Sequence, residues 1–337
     1  MLLEKLVNAN GVVTYEDEVR KIIIEEIKDH VDSVKVDSMG NIIAVKNSEA
    51  KGKHIGLSAH MDEVGLIIHD VDSEGLLKFK AWGINDNVLL SKPVVIGEKK
   101  LKGVIGGKPI HLQKPEERLT NIPLESLYID IGATSKEDAL KHVQIGDVVA
   151  FDSEYKEFGE NKAKSKAFDD RVGCYAIIKA LQSDTKHKIT ACFVVQEEGG
   201  LRGSIITANR INVDFLLNLE GTISADTIAE KEKDYITTLG SGVVLSLMDR
   251  STLYHKKYRD EVIKVAEKYD IPYQFRKSNM GGTDTGNYQM AHGGTPVMNI
   301  CVGCRYIHSP VSVADITDVE NMVLLVEKFI EEYNLEV

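Results

Sequence analysis

The stretch His54-Ile55-Gly56-Leu57-Ser58-Ala59-His60-Met61-Asp62 runs an apolar segment straight into an imidazole and a carboxylate. Short apolar runs bounded by turn residues read as buried strands. Residues 189–195, 214–219 and 297–302 have the same texture, and each leads to further potential ligands: Glu197-Glu198, Glu220 and His308. A fifth cluster, Asp169-Asp170, stands ahead of a helical pattern. In an open α/β sheet, ligands collect beyond the carboxyl ends of the strands, which would draw these sequence-distant clusters into one crevice. Imidazoles and carboxylates gathered in that way suit a pair of divalent metal ions and hydrolytic chemistry.

The rest of the chain alternates helix and strand. Residues 14–31 start with a potential cap, Thr14, and place Val19, Ile22, Ile23, Ile27 and Val31 on one helical stripe. Residues 171–181, 253–269 and 318–333 are similarly amphipathic, so the fold class is α/β with a mixed central sheet flanked by helices. Between 68 and 161 the texture changes to short β-type runs at 76–81, 93–97, 101–105, 127–131 and 147–151, with one helical pattern at 135–143. Many strands without intervening helices predict a small barrel or sandwich. The expected organisation is therefore one domain formed by residues 1–67 and 162–337, interrupted by a β-rich insert over 68–161. A chain of 337 residues is long enough for such a second unit.

Composition narrows the function classes. The formal net charge is −11, and no basic stretch interleaved with aromatics stands out, which argues against nucleic acid as a partner. No apolar run reaches the roughly 18 residues of a membrane span, and the first residues lack the pattern of a signal peptide, so a soluble, cytoplasmic protein is expected. Cys174, Cys192, Cys301 and Cys304 fall in helical or strand patterns, unlike a secreted disulfide framework. Cys301 and Cys304 lack a second thiol pair and are given no metal role.

His60-Met61-Asp62-Glu63-Val64-Gly65, Phe168-Asp169-Asp170-Arg171-Val172-Gly173, Gln196-Glu197-Glu198 with Gly200-Leu201-Arg202-Gly203, Gly281-Gly282-Thr283-Asp284 and Arg305-Tyr306-Ile307-His308-Ser309 occur in that order. Together they make the chain resemble, over nearly its whole length, the M42 family of dinuclear metal aminopeptidases, whose members are sometimes labelled endoglucanases. The resemblance implies that Asp169 bridges two ions, that Glu198 is a ligand, and that Glu197 is the general base that takes a proton from water and hands it to the leaving amine. His60 and Glu220 would hold one ion, and Glu198 and His308 the other. Imidazole and carboxylate ligands without thiolate suit Zn, Co or Mn. Asp62, two residues from His60 and so on the same face of a strand, is the expected helper that fixes the imidazole's tautomer.

Any one of these features has an ordinary reading: adjacent aspartates cap helices, a strand-end Glu or His is usually solvated, and a glycine turn needs no pocket. Their joint order carries the weight. The chain departs from the family pattern at Gly199, where a larger residue is usual, and at Glu220, where several members carry Asp. The resemblance further implies short peptides with a free amino end as substrates, and a twelve-subunit assembly built from dimers through the insert. Two other functions compete: a dinuclear deacylase or carboxypeptidase sharing the same ions, and a non-catalytic shell whose metals only stabilise assembly. Glycoside hydrolysis fits less well, because it needs a free acid and base pair while these carboxylates look committed to metal.

Overall fold

The computed structural model describes residues 1–228 and 230–334. Helices α1 (Leu2–Asn8) and α2 (Asp17–Ile27) precede a hairpin of β1 (Ser33–Val36) and β2 (Ile42–Lys46), and then β3 (His54–His60). Six strands follow: β4 (Gly65–Val71), β5 (Leu77–Trp82), β6 (Pro93–Ile96), β7 (Leu101–Gly106), β8 (Tyr128–Asp130) and, after the short α3 (Lys136–Ala139), β9 (Val148–Phe151). The chain then makes β10 (Lys156–Phe158), β11 (Lys162–Ser165), α4 (Phe168–Gln182), β12 (Lys188–Val194), α5 (Arg202–Ala208), β13 (Phe215–Ser224), β14 (Val243–Leu245) and α6 (Lys256–Lys268). It ends with β15 (Tyr273–Phe275), α7 (Thr285–Gln289), β16 (Val297–Arg305), β17 (Ser312–Asp315) and α8 (Ile316–Glu332).

Eleven strands form one mixed sheet with the path β1-β2-β12-β3-β13-β16-β17-β11-β10, with β14 attached to β16 and β15 to β14. Its centre, β12-β3-β13-β16, is parallel, whereas the flanking pairs are antiparallel. Helices cover these central strands, so their residues are apolar almost without interruption, as the all-buried run Ile189–Val194 illustrates. Parallel pairing also puts the carboxyl ends of β3 and β12 side by side, His60 opposite Val194 in register.

Strands β4-β5-β8-β7-β6-β9 close into a separate barrel filled by Leu66, Ile68, Leu77, Phe79, Val94, Ile105, Ile129, Val149 and Phe151. The barrel strands run from Gly65 to Phe151. The expected boundary at 68–161 therefore cuts into β4 and takes in β10, which pairs with β11 in the larger sheet. A register shift between Ile68 and Asp70 breaks the alternation of β4, which is why that strand was not foreseen. Helix α2 is shorter than the 14–31 pattern because Thr14 has φ +75° and gives its N–H to the Glu16 carboxylate, so it sits in a turn and cannot cap the helix. Only Lys136–Ala139 of the 135–143 pattern is helical, capped by Ser135.

A buried charge network ties the start of the chain to the sheet. Lys166 donates to both Glu63 oxygens at 2.7 and 2.9 Å and to the Ala9 carbonyl. Arg171 donates to the carbonyls of Met61 at 2.9 Å and Leu6 at 2.6 Å, with Glu63 at 3.4 Å. Glu63 lies three residues after His60, and Lys166 and Arg171 bracket Asp169, so the network sets two clusters against each other. Removing one partner of a buried ion pair strands the others, at a cost of about 3–5 kcal/mol. Glu63→Leu should therefore lower the urea midpoint by that order of stability; a loss below about 1 kcal/mol would contradict the structural weight given to this network.

Candidate active site

His60 ends β3 with its ring fully buried. Its Nε2 lies 3.2 Å from Oδ1 of Asp169 and 3.1 Å from Oε1 of Glu220, while Nδ1 pairs with the backbone carbonyl of Asp62 at 3.1 Å. The Asp62 carboxylate approaches Nδ1 only to 3.5 Å. Its two oxygens instead accept the backbone N–H groups of Glu197 at 2.9 Å and Glu198 at 3.0 Å. The expected tautomer-fixing contact thus comes from the backbone of Asp62, and its side chain clamps the turn after β12.

In that turn Gln196, Gly200 and Leu201 all have positive φ, and the carboxylates of Glu197 and Glu198 leave it with different surroundings. Glu198 faces His308, with Oε1 3.3 Å from Nε2. Glu197 enters no ion pair and accepts no hydrogen bond through its carboxylate among the described residues, and it lines the cavity beside His60. A Cβ on Gly199 would come within 3.1 Å of a Val13 methyl carbon, so a larger residue in this turn would press on Val13.

Asp169 lies between the two imidazoles. Its Oδ1 faces His60, and its Oδ2 is 3.5 Å from Nε2 of His308. Its backbone passes so close to β13 that a Cβ on Gly221 would fall 2.9 Å from its Cα, which explains a glycine immediately after Glu220. The Asp169–Asp170 peptide is cis. Both residues have non-helical backbone within α4, so the regular helix begins at Arg171. Glu220 sits inside β13, opposite Cys301, not at a strand end, and its Oε2 accepts from Nδ2 of Asn218 at 2.8 Å. His308 follows β16 in a left-handed conformation, with φ +55°.

His60, Asp169 and Glu198 each offer a ligand atom within 4.8 Å of the others, as do His60, Asp170 and Glu220. Asp170 is the less available of these groups. Its oxygens accept the backbone N–H groups of His60 at 3.1 Å and Gly173 at 3.0 Å, so it braces His60 from behind. Asp62 and Asn218 brace the other acids in the same way, an outer layer of the kind that orients ligands in metal sites.

Burial raises the carboxyl of Glu198 to about 8 despite His308 beside it, and raises Glu197 and Glu220 as well. Asp169 is held low: burial opposes ionisation, but hydrogen bonds from His308 and His60 outweigh it. Burial would lower His308, yet Asp169 and Glu198 hold it up at about 9. No lysine or arginine pairs with Asp169, Glu197, Glu198 or Glu220 among the described residues. A buried acidic cluster countered only by two imidazoles fits divalent cations, with oxygen and nitrogen donors suited to Zn, Co or Mn.

The cluster forms one wall of a cavity of about 280 Å³, completed by Arg276, Met280, Thr283 and Ile307. A wider groove of about 690 Å³, lined by Asn85, Leu90 and Lys92 from the barrel and by Tyr306 and Pro310, meets it at Ile307 and His308. Gly281 to Thr283, given no role from sequence, contribute to the cavity wall. Asp284 points elsewhere: it is buried, accepts from the Ser204 hydroxyl, and burial raises it to about 7. Arg276 and Asn218 were not foreseen. Asn218 was open to a period-two reading from Glu220, but nothing local marked Arg276.

An α/β sheet with imidazoles and carboxylates gathered beside its parallel strands, interrupted by a closed barrel, is the architecture of a metallopeptidase-type protein. The M42 glutamyl aminopeptidase family matches residues 40–325, and the chain belongs to that family. It is 39% identical over 331 residues to a putative aminopeptidase of Acetivibrio thermocellus, covering 97% of each chain. It is 32% identical to a lysyl aminopeptidase of Pyrococcus furiosus, covering 98% of this chain and 96% of that one. Among solved structures, it superposes on the Pyrococcus horikoshii TET1 peptidase, described as able to assemble into a tetrahedron or a large octahedral shell, with TM-score 0.87 and 32% identity over 99% and 100% of the two chains.

The electrostatics give a sign for pH dependence. Glu198 rises from 4.5 to about 8 and His308 from 6.5 to about 9, so both bind protons more tightly folded than unfolded. Without a cation, the stability they contribute is full below the unfolded values and is lost as pH climbs through the folded ones. The Tm of chelated protein should fall between pH 6.5 and 9, the two values for His308, and excess divalent metal should restore it. A chelated protein whose Tm is flat across that window would contradict the charge balance described here.

Proposed function

We propose that the chain is an aminopeptidase that removes the first residue of short peptides, with two divalent ions held by His60 and Glu220 on one side of Asp169 and by Glu198 and His308 on the other. The two oxygens of Asp169, each turned toward a different imidazole, carry this reading. Bound there, two divalent ions supply Lewis acidity toward the scissile carbonyl and lower the pKa of water to about 7.

Glu197 is the base. A base must reach the attacking water without being tied to metal or neutralised by a neighbour, and Glu197 is the acid of the cluster left without a partner at the cavity wall. It takes the proton of the attacking water and delivers it to the departing amine. Asp62 keeps Glu197 and Glu198 aimed apart by holding both backbone N–H groups. The small cavity receives the first residue's side chain, and the groove past Ile307 and His308 receives the remainder of the peptide. The two ions and the carboxylates around them bind the free amine and fix which bond is cut.

The barrel has two roles in this reading. It lines the groove through Asn85, Leu90 and Lys92, and it presents Ile110, Leu112 and Leu119 to solvent, apolar side chains that a second copy would cover in a dodecamer built from dimers. Among the described residues no helix is long and apolar enough to cross a membrane.

One experiment tests chemistry apart from scaffolding. Glu197→Gln should keep its metal content and assembly mass while turnover of free-amine peptides falls about 10²–10⁴-fold, and the wild type should act poorly on acetylated peptides. Near-normal turnover in Glu197→Gln with both ions bound, or equal cleavage of blocked and free peptides, would overturn the assignment.

A further inference from the structure

The segment from Arg305 to Ser309 carries His308, and its first residue has no part in the chemistry described so far. Arg305 closes β16, in register with Ser224 of β13 on one side and Val313 of β17 on the other. The residues from Tyr306 to Val311 form the loop that joins β16 to β17, and two of them, Tyr306 at φ +60° and His308 at φ +55°, are left-handed. Residues with a Cβ disfavour that region, so they persist there only where their surroundings over-determine them. The Ser309 hydroxyl lies 2.6 Å from the Tyr306 carbonyl and 2.8 Å from that of Val311, which fixes the loop's shape. Shape alone does not aim the loop.

The aim comes from an anchor to the rest of the fold. The Arg305 guanidinium grips the carboxylate of Asp226 with both prongs, Nε 2.8 Å from Oδ1 and Nη2 2.7 Å from Oδ2. Asp226 lies two residues beyond β13, the strand that carries Glu220, and accepts as well from the Ser224 hydroxyl at 2.7 Å and the Leu239 N–H at 3.0 Å. Its side chain is only 4% exposed, so water competes little for the carboxylate. Two parallel hydrogen bonds set the direction of a guanidinium as well as its place. The fork thus ties the loop of His308 to the strand of Glu220.

The two imidazoles need such help unequally. His60 is buried at the end of a central strand, and Asp170 holds its backbone N–H. His308 has 44% of its side chain exposed and stands three residues past β16, where its ring meets the Gly83 carbonyl on the barrel side. A ligand on a loop is precise only as far as its support is rigid.

Resting on the two-ion reading above, we propose that Arg305, through its fork onto Asp226, is a positioning residue that aims His308 at the ion shared with Glu198. A staple that merely closed the segment between Asp226 and Leu239 would act on stability and treat both ions alike.

The metal-free full chain and its variants are equilibrated at buffered Zn concentrations, and the filling of each position is read from anomalous diffraction of crystals so treated, beside the Tm. In Arg305→Met the Zn concentration that half fills the Glu198–His308 position should rise about 10- to 100-fold, while the His60–Glu220 position fills as in the wild type. Arg305→Lys keeps the charge without the planar fork and should fall between the two. Asp226→Asn should match Arg305→Met, and the double variant should lose no more than either alone. Should Arg305→Met fail to fold, Arg305→Lys and Asp226→Asn carry the same comparison. Unaltered filling of both positions in the folded variants, or an equal loss at both with a lower Tm, overturns the positioning role and leaves the two-ion reading standing. A wild type that fills one position alone at saturating Zn overturns both.

Discussion

Asp169, Glu197, Glu198 and Glu220 share one largely buried corner of this fold, no lysine or arginine of the described residues pairs with them, and their mutual repulsion is the constraint that the surrounding structure answers. Burial alone pushes such groups toward the neutral form. Two imidazoles offset part of the charge, and each takes a different oxygen of Asp169. The remainder is the electrostatic demand for divalent cations. The hydrolytic reading and the expected pH dependence of the metal-free chain both follow from that demand.

Holding like charges together requires scaffolding that does not itself bind the ions. Asp62 fixes the turn of Glu197 and Glu198, Asp170 fixes the backbone of His60, and Asn218 fixes Glu220. Behind them, Glu63, Lys166 and Arg171 lock the ends of β3 and β11 and the start of α4 into one block. Adjacent acids acquire unlike duties through this scaffolding: in each of the pairs Asp169-Asp170 and Glu197-Glu198, one member faces an imidazole ring and the other does not.

Much of this was legible in the chain because buried parallel strands are near-continuous apolar runs, and His60, Glu197-Glu198 and His308 follow such runs closely. Glu220 was found for a partly mistaken reason. Strand β13 continues four residues past it, because Gly221 to Ser224 pair with β16, a register that only the folded sheet reveals. The use of the Asp62 side chain was misread, since strand periodicity puts Asp62 on the face of His60 but β3 ends before it. The first barrel strand was hidden by its bulge, and Arg276 by following a three-residue strand whose place depends on pairing with β14. Each of these depends on partners distant in sequence, which local pattern does not encode.

The central claim is that Asp169 stands between two ions, and anomalous diffraction tests it without recourse to activity. Crystals of the chain loaded with Zn or Co, measured on either side of the metal's absorption edge, should give two peaks about 3.5–4 Å apart, one on the His60–Glu220 side of the Asp169 carboxylate and one on the Glu198–His308 side. A single peak at full loading, or two peaks that do not share Asp169, would contradict the account.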